Sequence, residues 1–142
     1  MSALFLGPGS ANAAFDNLQG PVAVGPKNLL TGALIPGPVR INGIHAVNEG
    51  DDQVFLQLFN VATTSAVVLG TTVPQDVVMV PGATEDDLGL RRSVGWTAED
   101  YGINAPNYSN GLVVAATMSR NGNDLANFGD VFANFKTTAI GI

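Results

Sequence analysis

The stretch FNVATTSAVVLGTTVPQDVVMVPG, residues 59–82, decides how the chain is read. It sets short runs of valine, leucine and methionine between threonine-rich or proline-bearing turns. No run approaches the roughly ten residues that separate an amphipathic helix from a short strand. β-Branched residues at this density suit a pleated, half-buried surface. Pro74 cannot donate to a sheet ladder and marks a strand end or edge. The expected elements are strands at AVVLG (66–70) and VVMV (77–80), joined by the bend TTVPQD.

The neighbouring segments extend the pattern. QVFLQLFNV (53–61) places Val54, Leu56 and Leu58 on one face and Phe55, Gln57, Phe59 and Val61 on the other. Apolar residues on both faces predict an inner strand, or one whose outer face a partner covers. VRINGIHAVN (39–48) alternates, with Val39, Ile41, Gly43, His45 and Val47 sharing a face. NEGDDQ (48–53) is a polar turn. LGLRRSVGW, NGLVVAATMS and DVFANFK supply further strands, and residues 96–111 form a long polar connection. About seven or eight short strands with no internal repeat predict an all-β fold, an antiparallel β-sandwich or jelly roll.

Residues 1–38 read differently. Gly7–Pro8–Gly9, Gly20–Pro21, Gly25–Pro26 and Pro36–Gly37–Pro38 leave only ALFL, VAV and LLTGALI between breakers. This is the pattern of an extended Gly/Pro-rich N-terminal arm (1–38) ahead of a β-sandwich domain (39–142). Its apolar residues need burial against the parent domain or a neighbouring subunit. ALFL has no basic flank and falls short of the about 7–15 apolar residues of a secretory signal, so no signal peptide is expected.

Composition narrows the function. Charged residues make up 13% of the 142 and hydrophobic ones 46%, against about a quarter charged in an average domain. The surface is therefore covered by Asn, Thr, Ser and Gly, or partly by another protein. A net charge of −6 with six scattered Lys and Arg argues against nucleic acid and against an anionic membrane as partners. The chain has no cysteine, so thiolate chemistry is excluded.

Little remains for catalysis. His45 is the only histidine, so no Ser-His-Asp set has a spare base, and it reads as a core or sheet-surface residue. The clusters Glu49–Asp51–Asp52 and Glu85–Asp86–Asp87 offer oxygens that calcium favours, but neither follows the EF-hand order. They read as solvated turn carboxylates, with no metal or cofactor expected. No Gly-Lys-Ser/Thr ending cradles a phosphate. Trp96, Tyr101 and Tyr108, interleaved with asparagines, suit either a recognition surface or the pinning of a long loop. An enzyme is not expected.

QLFNVATTSAVVLGTTVPQDVVMVPG, followed by SNGLVVAATMS, resembles small virion proteins of tailed bacteriophages. In these a strand ending in LFN precedes a spacer, LGTT-P, an apolar strand and a later GLVVAAT strand. The likeness covers residues 44–82 and 110–119; the acidic-aromatic stretch 83–109 departs from it. The resemblance implies a small β-sandwich, often trimeric, that decorates capsids or belongs to tails and fibres. The expectation is a capsid decoration (cement) protein on the virion surface, a homotrimer bound to the major capsid protein or another virion protein. Leu4, Phe5, Leu6 and Phe15 would anchor the arm, and Phe55 and Phe59 would pack subunits together. The rival is a tail or fibre module binding host glycan through Trp96, Tyr101 and Tyr108.

Overall fold

The computed structural model describes residues 10–27, 30–35, 37–82, 92–97 and 107–139, with 10–12 and 92–97 described as backbone. Its strands are β1 (Ser10–Phe15), β2 (Val22–Val24), β3 (Val39–Asn48), β4 (Val54–Asn60), β5 (Asp76–Val80), β6 (Arg92–Thr97), β7 (Asn107–Tyr108), β8 (Leu112–Thr117) and β9 (Val131–Ala139). One sheet runs β1-β9-β3-β6, with the two-residue β7 beside the start of β3; the other runs β2-β8-β4-β5. Every pairing is antiparallel.

The pairing is that of one long hairpin folded back on itself. β1 meets β9, β2 meets β8, β3 meets β6, and β4 meets β5. Rolling that ribbon sets β9 against β3 and β8 against β4. This order is a jelly roll, the two-sheet solution that buries one face of each sheet against the other. Val54, Leu56, Leu58, Val114, Ala116, Ile41, Ile44, Ala46 and Phe135 form the shared core.

The N-terminal segment differs from the expected arm. Residues 10–15 form an edge strand on β9 and residues 22–24 an edge strand on β8. Phe15 packs edge-on against Phe135, with ring centroids 6.2 Å apart. The Gly20–Pro21 break, read as a mark of an arm, is the corner at which the chain crosses between sheets. Leu18 N–H donates to Val131 O, and Ala116 N–H to Gln19 O, so the corner keeps its ladder bonds.

β3 also departs from simple alternation. Its register against β9 shifts between Ile41 and Gly43, a bulge that reverses which side chains point inward. Val39 and Ile41 face the core, and beyond the bulge Ile44, Ala46 and Asn48 do. His45 is thereby exposed and Val47 turns outward, splitting the face predicted from the sequence. Asn42, the extra residue, donates its amide to Thr138 Oγ1.

AVVLG is not a strand. A single 3-10 turn (Thr64–Ala66) starts a loop, which closes where Thr71 and Thr72 N–H both donate to Val68 O. Val67 and Leu69 of that loop pack with Val61 on Phe59, Val113 and Ala115, the outward residues of the β8–β4 pair. Their apolar character is used to cover the sheet and not to extend it. Beside them Gln57, fully buried, donates to Thr117 Oγ1 at 2.7 Å and Gly122 O at 3.1 Å, pinning residues 119–122 over the same face. The chain thus covers its own second apolar face, which explains the two-sided apolar pattern of β4.

Phe59→Ala is expected to lower unfolding stability by about 3–5 kcal/mol, the usual cost of emptying a filled aromatic site. Chemical denaturation at two protein concentrations checks this, and the loss should be the same at both because the ring is enclosed within one chain.

Candidate functional site: the loop ends and the charge-poor side

The strand directions gather the loops into two sets. Residues 16–21, 49–53 and 118–130 lie at one end of the roll, with the residues after Val80; residues 25–38, 61–75 and 109–111 connect strands at the other.

At the first end three loops are knitted together. Gly129 N–H donates to Asn17 Oδ1 at 2.7 Å, joining 124–130 to the β1–β2 corner. Glu49 N–H donates to Asp130 O at 2.8 Å. Asn48, buried, donates to Asp52 O at 2.7 Å and accepts from Gly50 N–H at 2.9 Å. A side chain at Gly50 would overlap the Asp130 carboxylate, and one at Gly82 would overlap the backbone of Asp51. These close approaches account for both glycines without recourse to special φ.

This end carries Asp16, Glu49, Asp51, Asp52, Asp124 and Asp130, all exposed except the half-buried Asp130. Of the described carboxylates only Asp76 lies elsewhere, where it accepts the Tyr108 hydroxyl at 2.6 Å. Among the described residues no three His, Asp or Glu side chains converge as a metal would require. The described cation on these loops, Arg120, lies over the Phe55 ring at 5.5 Å.

The β2-β8-β4-β5 side contrasts with that end. Residues 17–26, 53–75 and 107–119 contain no Asp, Glu, Lys, Arg or His, so the side is poor in charge, with Asp76 of β5 and Arg120 over Phe55 among the few it carries. Its covering loop exposes Val68 (57%) and Val73 (85%), and Met79 of β5 is also exposed.

The opposite sheet carries a shallow depression of about 110 Å³ lined by Ala14, Asp16, His45, Val47, Phe132 and Asn134 together with Phe15 and Ala133. It combines one imidazole and one carboxylate with no hydroxyl, thiol or amine.

The expected contact residues scatter. Phe15, Phe55, Phe59 and Tyr108 belong to the interior of their own chain: Phe59 and Tyr108 are fully buried, Phe55 nearly so, and Phe15 packs on the core. Tyr108 is held by burial and by Asp76, so its ring is not on a recognition surface. Trp96 sits in β6 opposite Ile44. Leu4, Phe5, Leu6 and Tyr101, and the cluster Glu85–Asp86–Asp87, lie outside the described residues. Sequence reading passed over Phe128, which is 82% exposed. The signal was present as an aromatic within the turn-rich RNGNDLANFG.

No protein-family model matches the chain, and no curated protein matches it in sequence.

Asn17→Ala removes the acceptor that holds Gly129 N–H. A loss of about 1 kcal/mol in global stability is expected, with faster amide hydrogen exchange at Gly129 and Asp130 than in β4 or β8. Exchange measured residue by residue checks it.

Proposed function

We propose that the protein is a structural building block of a virion: a capsid decoration (cement) protein that binds the major capsid protein, bridges capsid subunits on the head surface and self-associates as a homotrimer. The observation that carries this reading is the charge-poor side of the jelly roll. A surface with exposed valines and methionine and few charges is poorly suited to permanent exposure and well suited to a neighbour. Jelly rolls recur in viral capsid domains, which supports the reading by fold analogy alone. The resemblance of residues 44–82 and 110–119 to phage virion proteins points the same way. Cementing then needs no chemistry: a protein that binds only the assembled shell stabilises it by mass action.

The rival reading, a tail or fibre module binding host glycan, loses one of its three aromatics, because Tyr108 is committed to the interior.

Residues 10–24 supply two strands, so a truncation that leaves the fold intact is confined to residues 1–9. The expected outcome is that wild-type protein co-sediments with empty shells of its phage and raises their melting temperature. Removal of residues 1–9 should weaken that binding at least about tenfold while leaving the monomer's own unfolding transition in place. Absence of wild-type binding to shells, with binding to host glycan, would replace this reading by the rival.

A further inference from the structure

We infer that the acidic loop end is a docking site for a basic, extended segment of another protein, with Phe128 as its apolar anchor. The turn that carries this ring is built to hold it outward. Gly129 takes a positive φ of 83° and is tied to Asn17. Asp130 N–H closes the turn on Asn127 O, and Asp130 O accepts from Glu49 N–H. The flanking Ala126 is buried, with its carbonyl accepting from Gln19 Nε2 at 2.8 Å. The backbone that carries this ring is fixed by bonds to two other loops, so a partner gains the ring's burial without the cost of ordering the turn. The same loop exposes Leu125 beside it in sequence, so the tip offers two apolar side chains on a rigid base.

Charge selects the occupant. The three loops around the turn bring Asp16, Glu49, Asp51, Asp52 and Asp124 to the surface, while Arg120 is turned to Phe55. A second copy of this chain would set the same carboxylates against one another, which is repulsive. A nucleic acid would meet the same repulsion from its phosphates. A segment with Lys or Arg on either side of an apolar residue gains on both counts: its cations meet the carboxylates and its apolar side chain meets Phe128. The charge-poor side of the roll stays available for the contacts proposed above, so this site does not depend on that reading.

The test is selection from a random peptide display library on full-length protein tethered through its C-terminus, since β9 ends away from the acidic loops. Binding of the enriched peptides is then measured to wild type, to Phe128→Ser, to the pair Asp16→Asn with Asp124→Asn, and to Val73→Ser as a control at a distant surface. The expected result is enrichment of sequences with two or more Lys or Arg around an aromatic or aliphatic residue. Phe128→Ser should weaken them at least about tenfold and Val73→Ser should not. The Asp-to-Asn pair should weaken them and flatten their salt dependence. Should Phe128→Ser unfold, the Asp-to-Asn pair still decides the matter. Failure to enrich, enrichment of acidic or uncharged peptides, or binding unaffected by the Asp-to-Asn pair would each overturn the proposal.

Discussion

The ladder between β3 and β9 is the joint on which the roll closes. It runs from Val39 opposite Ala139 to Asn48 opposite Val131. Together with the β4–β8 ladder, it turns the nested pairs from β1–β9 to β4–β5 from a long two-stranded ribbon into a closed roll. With it, one face of each sheet turns toward the other, and Ile41, Ile44, Ala46 and Phe135 meet Leu56, Leu58 and Val114. The bulge at Asn42 belongs to this joint. It bends the strand at the seam and decides that Ile44, and not His45, enters the core.

A second constraint follows from β4 and β8. Both are inner strands with six buried residues in succession or more, so their outer faces also need cover. The chain answers with two loops, 61–72 and 118–125, which approach each other where Gly70 abuts Asn123. The outcome is three layers from a chain of modest length: the loop cover, the charge-poor sheet and the sheet that carries Arg40, His45 and Lys136. Most of the other described charges fall on one set of loops, with Lys27 and Asp76 the exceptions toward the other end. A surface divided in this way has sides suited to different neighbours.

The fold was largely legible, because β4 and β8 are short apolar runs bounded by turn signals and period-two alternation survives in β9. Legibility failed where local pattern and tertiary use part company. AVVLG has strand composition, yet its valine and leucine are used as a lid. SANAAF lacks the β-branched signal, yet an edge strand on β9 needs only small residues and free backbone groups. His45 was misplaced by one bulge, a change no alternation count detects. The interior locations of Phe15, Phe55, Phe59 and Tyr108 depend on what covers them, and a linear sequence does not state that. Phe128 escaped notice because an aromatic in a turn is expected to fold inward; only the bonds from Asn17 and Glu49 reveal that it is held out.

The pairing of β1 with β9 also sets an order for biosynthesis. The first described strand has no ladder partner until residues 131–139 leave the ribosome, and β2 likewise waits for 112–114. Nearly the whole chain must therefore emerge before either edge strand is satisfied. During that interval SANAAF and VAV present unpaired backbone to other nascent copies on the same message. Apart from Phe15, the side chains at those positions are small or medium in size and uncharged, which makes the delay tolerable because they offer a stray neighbour little surface to grip.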